Sequence, residues 1–329
     1  MTAFAIDRRR LALATFAALA APSLPAWAQT PNADKPMRVI LPVGAGSGVD
    51  TIMRAASPAL ARALAQPVVI ENLPGAGGIT GTTVLVRAAP DGATIGVVSN
   101  NHVVNPSVYK KMPFDPLADI TPISVIGETP FVLVVNPTRV PAKNAKELVA
   151  FLKAKPGVYN YASSGNGTII HLAGAMFVEA AQVDVRHIPY KGVGPQIADL
   201  IGGQVELGVV AVPAALGHLK SGALRAIGVM GKTRVPSLPD LLTIAEQGLP
   251  EVDVAGWFAV IAPPKLPAVE VKRLHAAVLA TFASPDVKEA MARQENLIHP
   301  GTPEAAAQFF KTEQERYAKL VKKADIRLD

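Results

Sequence analysis

Apolar and polar positions along this chain alternate between two periods. Short apolar runs at Met37–Pro42, Val68–Glu71, Thr94–Val98, Val132–Val135, Tyr159–Ser163, Arg186–Pro189, Val205–Val210, Ala226–Val229 and Phe258–Ala262 read as strands. Between most of them apolar residues return at spacings of three and four, as in Ile52, Met53, Ala56, Leu60 and Leu64. That spacing predicts helices such as Ala145–Ala154, Ile169–Ala181 and Pro195–Leu200. Asn144, three residues before Glu147, has the form of a capping box, and Pro90-Asp91-Gly92 marks a turn ahead of a strand. The alternation predicts an α/β protein of mostly parallel sheets flanked by helices. Two apolar strands, Phe131–Asn136 and Trp257–Ala262, are each followed by Pro and stand far apart in sequence. They are expected to be crossings between two lobes. Residues 36–130 plus 256–329 would then form a discontinuous first lobe, to which helices Ala268–Ala283 and Pro303–Lys323 return, and 131–255 the second.

The first strand runs directly into a small-residue loop, Gly44, Ala45, Gly46, Ser47 and Gly48, with a helical pattern starting near Val49. Glycine lets the backbone approach a ligand closely, and the free N–H groups of a first helical turn carry partial positive charge. The segment Ser163, Ser164, Gly165, Asn166 and Gly167 repeats this logic, with a helix beginning near Thr168. Ligands of open parallel sheets bind beyond the carboxyl ends of strands, so two such loops facing across a cleft could grip one carboxylate.

Residues 1–28 read as an export signal: Arg8 to Arg10 as basic head, Leu11 to Ala21 as apolar middle, and Ala26-Trp27-Ala28 as a small-x-small cleavage site. The paired arginines raise a twin-arginine route beside the general one. The apolar run is shorter than the roughly 20 residues a membrane span needs, so the mature chain is expected to be soluble in the periplasm. The formal charge of +6 loses three Arg and one Asp with that segment, leaving +4. This mild excess suits acidic small ligands. Scattered basic residues and an aromatic content of 5% argue against nucleic acid. With no Cys there is no disulfide framework, thiolate nucleophile or lipid anchor. The six His show no metal-ligand spacing, and Ser47 lacks the Gly two residues before it that a nucleophile elbow requires. No cofactor is expected.

Several blocks in order carry a family resemblance: Pro36-Met37-Arg38-Val39-Ile40 leading to the Gly loop and Asp50, Glu71-Asn72-Leu73-Pro74-Gly75-Ala76-Gly77-Gly78, Ala89-Pro90-Asp91-Gly92 and Asn105-Pro106-Ser107. Tyr161-Ala162-Ser163-Ser164-Gly165-Asn166-Gly167-Thr168, Pro189-Tyr190-Lys191-Gly192, Gly202-Gly203-Gln204-Val205 and Trp257-Phe258 follow. Each is weak alone; together they resemble the periplasmic solute-binding proteins of tripartite tricarboxylate transporters across the mature length. The resemblance implies a two-lobed binding protein of type II topology, acting without catalysis as a monomer. It would bind a small carboxylate and deliver it to membrane permease subunits. A sensory receptor on the same fold is the alternative, and an exported hydrolase a remote third.

Each candidate position also has a plainer reading. The Gly44–Gly48 loop could be only a tight turn, and Asp50 stands where a helix-capping side chain would. Ser163, Ser164 and Thr168 could cap the helix while lining the cleft. Ser99, Asn100, Asn101 and His102 place polar groups at a third strand end, and Tyr190 and Lys191 follow a fourth, with Lys191 either a counter-ion or a solvated lysine. Gly75–Gly81 fits a dinucleotide fingerprint only loosely, with a Pro-containing turn before it and no acidic partner on a second strand. Many members of the resembling family carry a polar Asp-Asn-like pair where this chain has Val210 and Ala211. Those two are therefore expected to form an apolar wall, favouring a carboxylate with an apolar or aromatic body and no cationic group.

Overall fold

A computed structural model describes residues 35–323; the segment read as an export signal lies outside them. In chain order the elements are β1 (Met37–Leu41), α1 (Gly48–Leu64), β2 (Val68–Asn72), α2 (Ile79–Val86), β3 (Thr94–Ser99), α3 (Asn101–Val108), β4 (Thr121–Thr129) and β5 (Phe131–Val135). Then come α4 (Ala145–Lys153), β6 (Asn160–Ser163), α5 (Ile169–Ala181), β7 (Arg186–Pro189), α6 (Val193–Ile201), β8 (Leu207–Ala211), α7 (Val212–Lys220) and β9 (Arg225–Val229). β10 (Gly256–Ala262), α8 (Ala268–Ala283), α9 (Pro285–Arg293), β11 (Leu297–Ile298) and α10 (Pro303–Lys323) close the chain.

The strands form two sheets, in the orders β11-β4-β10-β3-β1-β2 and β7-β6-β8-β5-β9. Only β2-β1-β3 in the first and β7-β6-β8 in the second are parallel; every other neighbour runs antiparallel. The expectation of mostly parallel sheets is therefore corrected to two mixed ones. The cause is the way the chain changes sheets. β1, β2 and β3, and β6, β7 and β8, follow one another through helical crossovers and run parallel, whereas β4 and β5 are separated by Pro130 alone and lie in different sheets. β10 returns after β9 and wedges antiparallel between β3 and β4. That returning strand gives the type II order. β4 and β11 were not among the expected strands.

Both faces of each sheet are covered, so its strands are apolar on both sides. On β1, Val39 and Leu41 pack in one cluster with Met53 and Leu60 of α1, while Ile40 joins Val103, Val104, Phe310 and Tyr317 on the other face. On β5, Leu133 and Val135 face α4 and α5, while Val132 and Val134 face α6 and α7. α10 lies against the first sheet and also meets α5 of the second lobe: Leu172 and Ala175 share a core with Phe310, Tyr317 and Val321. Lys323 pairs with Glu179 at 2.7 Å. Among the described residues no helix is long and apolar enough to cross a membrane.

Candidate functional site

In the first lobe, β1 gives way to exposed Gly44–Gly46 and then to α1. Ser47 is the N-cap and its Oγ accepts the N–H of Asp50 at 3.3 Å. Asp50 replies: its carboxylate accepts the Gly46 N–H at 2.8 Å, Arg54 Nε at 3.0 Å and Asn72 Nδ2 at 2.9 Å. Gly46 has φ +79°, a left-handed value that favours glycine. The Arg54 hydrogen bond, together with the Gly46 and Asn72 bonds and against the opposing push of burial, holds the Asp50 carboxyl down at about 2. Asp50 is 2% exposed with its oxygens taken, so as a ligand contact it is corrected; it braces the loop. Among the described residues, the Gly48 and Val49 N–H groups carry no bond within the chain.

Gly44 and Ser99 come together in one cavity of about 230 Å³. Its other wall is the turn Gly75–Gly78, with Asn101, His102 and Asn105 of α3. Asn101 and His102 are among the polar groups the sequence places at the third strand end, whereas the Gly75–Gly78 turn and Asn105 are not expected there from the sequence. The turn sits tightly: a Cβ on Gly77 would stand 2.9 Å from Asn105 Oδ1. The usable signal was the parallel β1-β2 pairing implicit in the βαβ rhythm, which brings the ends of both strands to one edge. Asn100, expected at the ligand, is instead buried. Its Nδ2 donates to Ala255 O and Tyr317 Oη, and its Oδ1 accepts the Trp257 N–H at 3.0 Å. It ties the end of β3 to the returning crossing.

In the second lobe, Ser163 ends β6 fully buried, with Oγ 2.7 Å from His187 Nε2 and accepting the Gly165 N–H at 3.2 Å. Thr168 is the N-cap of α5: its Oγ1 accepts the His171 N–H at 3.2 Å and donates to Gly165 O at 2.8 Å. The Gly167 N–H donates to His171 Nδ1 at 3.1 Å. Ser164 is half-buried and Asn166 stands exposed at the tip. The Asn166, Ile169 and Ile170 N–H groups have no partner among the described residues.

The next loop abuts this one, for the Tyr190 and Gly192 N–H groups donate to Ser163 O and Ser164 O. Tyr190 Oη donates to Asp199 at 2.8 Å, and burial with that carboxylate pushes the phenol up to about 12. Lys191 is exposed beside it. Val210 is 0% exposed, in a core with Val132, Val134 and Ala162, so its place in a cleft wall is corrected. The reason is that β8 carries helices on both faces, so strand-end residues still point into core. Ala211 is half-buried and begins α7. A larger cavity of about 620 Å³ between Leu219–Ala226 and Ser237–Leu241 is lined by none of these loop residues.

Residues 52–326 match the tripartite tricarboxylate transporter family receptor. The chain belongs to that family. BugT of Bordetella pertussis is 34% identical over 315 residues, 95% of this chain and 96% of BugT. The solved structure of periplasmic binding protein BugD shares 32% identity at a TM-score of 0.77, covering 90% of this chain and 99% of BugD. An R. palustris protein solved with adipate shares 29% at 0.79, again covering 90% and 99%. These receptor structures have the same two-lobed fold.

Proposed function

We propose that this chain is a periplasmic receptor that binds a small carboxylate by closing two lobes on it and delivers it, without chemical change, to membrane permease subunits. The lobes are residues 36–130 with 256–329, and 131–255. One observation carries the reading: α1 and α5 each begin at a glycine-containing strand-end loop and present unpartnered amides. Helix N-termini attract anions through those N–H groups and the helix dipole. Four charge-assisted hydrogen bonds supply roughly 6–12 kcal/mol gross, against an association cost of at least about 4 kcal/mol. Micromolar affinity needs no arginine clamp. The adipate-bound relative is consistent with this chemistry.

The ligand lacks a cationic group, because the acids near the loops are already used. Asp50 is held by three donors and Asp199 by Tyr190. Ala211 contributes an apolar contact that suits an alkyl or aromatic body. The test is a thermal-shift screen against adipate, malate, citrate, benzoate, aspartate and glutamate, followed by calorimetry. A ligand at 100 times its Kd adds about 2.7 kcal/mol to folded-state stability. Gly46→Val and Thr168→Ala should each weaken the best ligand. Stabilisation by aspartate or glutamate alone refutes the ligand class, and stabilisation by no carboxylate refutes the receptor reading. Loss of cellular uptake of the hit on deleting the gene tests delivery.

A further inference from the structure

The two helix ends are closed by the same cap with opposite charge at one position. At α1 a hydroxyl caps the helix, and the third helical residue accepts the N–H of the glycine just before the cap: Ser47, Asp50 and Gly46. At α5 the same roles fall to Thr168, His171 and Gly167. Asp50 is an anion balanced by Arg54 at 3.0 Å. His171 is not charged, for a ring nitrogen that accepts an N–H carries a lone pair there. Its ring is 7% exposed and lies face to face on His187, with centroids 3.7 Å apart and planes 5° apart. The Tyr161 ring is tilted 31° to both, its centroid 6.3 Å from His171 and 4.9 Å from His187. Burial holds His171 at about 3 and His187 at about 4, the neighbouring ring adding to the depression of His171.

For the helix alone a carboxylate at this position would be the better choice, since acids in the first turn favour the dipole. The second lobe forgoes it: Ser163–His171 itself carries no acidic side chain and no Lys or Arg. We propose that His171, backed by His187, is a positioning residue that closes the α5 end without adding charge and so reserves that end for the ligand's carboxylate. This rests on the carboxylate reading above. It assigns the ionic contact to Asn166, Ile169 and Ile170 N–H, while the α1 end, already balanced internally, contributes mainly to closure.

The experiment compares the full chain with His171→Asp, His171→Asn and Asp50→Asn, using whichever of adipate, malate, citrate or benzoate binds the unaltered protein. His171→Asp rebuilds the cap found at α1, so a purely structural role predicts unchanged binding. The expected result is a folded protein that binds about 30- to 100-fold more weakly, from one added like charge near the carboxylate. His171→Asn keeps a neutral acceptor and is expected to stay within about fivefold, the rescue that packing alone would not give. Asp50→Asn is expected to change affinity less than His171→Asp. Equal binding by His171→Asp and His171→Asn overturns the proposal. If His171→Asp does not fold, nitrogen NMR of the unaltered chain decides: a protonated Nδ1 on His171 at pH 7 overturns it. If none of the four carboxylates binds the unaltered chain, the carboxylate reading fails first and this inference with it.

Discussion

Asp50→Asn tests the brace beneath the first loop. The substitution keeps the shape of the side chain but replaces one acceptor oxygen with an amide. Asn can still accept the Gly46 N–H and Arg54 Nε at the one oxygen they share, without the negative charge; its Nδ2 then faces the Asn72 Nδ2 donor. A carboxyl held at about 2 against an ordinary 3.8 corresponds to about 2.5 kcal/mol, at about 1.36 kcal/mol per pH unit. The Arg54 side chain is 53% exposed, so solvent screens its share and about 1–2 kcal/mol is the expected loss at pH 7. Because the folded carboxyl is depressed, this stability is complete above about pH 4 and disappears as pH falls through about 2. Urea unfolding can be followed by fluorescence of Trp257, the one Trp between residues 35 and 323. The gap between the two proteins should be present at pH 7 and close between about pH 4 and pH 2. A gap that is absent at pH 7, or does not change with pH, would refute the brace.

Gly81→Ala gains helix propensity of about 1 kcal/mol, yet its Cβ would stand 2.7 Å from Leu73 O and 2.8 Å from Pro42 Cα. Both are backbone atoms, so overpacking of about 1–3 kcal/mol wins; the urea midpoint should fall, and ligand affinity with it because Pro42 leads into the loop. Asn100→Leu leaves the Trp257 N–H and Ala255 O without their partner in a buried place. A loss of about 2–4 kcal/mol is expected at roughly 1–3 kcal/mol per unsatisfied group, together with a changed near-ultraviolet signal from Trp257. Unaltered stability in that variant would show the hinge tie to be dispensable.

Where local signals were strong, the sequence was readable to the residue. α5, α8 and α10 have the expected limits because a Thr cap or a Pro stands at each start and the 3.6-residue period is long. β4 was not legible: it opens Thr-Pro, contains Gly127, and pairs with β10 across register shifts that break the alternation. The two glycine loops were legible as helix starts, but not the division of labour within them. Asp50 and Asn100 look like ligand groups because each follows a strand end. What turns them inward is their partners, at Asn72, Ala255, Trp257 and Tyr317. Tyr317 stands 217 positions from Asn100, and no local window contains that. His171, early in the α5 pattern, reads as a packed or capping residue, and it does accept the Gly167 N–H; its neutrality depends on stacking with His187 of β7.

The returning strand β10 also has a consequence in time. Every strand of the second sheet lies between Phe131 and Val229, so that sheet can be completed from one continuous stretch of chain. The first sheet cannot: β3 and β4 must wait for Gly256–Ala262 to fill the gap between them. Pairing so distant in sequence is slow, because the closure entropy of the intervening chain is spent before any contact rewards it. The second lobe should therefore gain exchange protection first during refolding, while β3 and β4 remain open edges. A chain made from its N-terminus cannot lock its first lobe until nearly four-fifths of it has been synthesised.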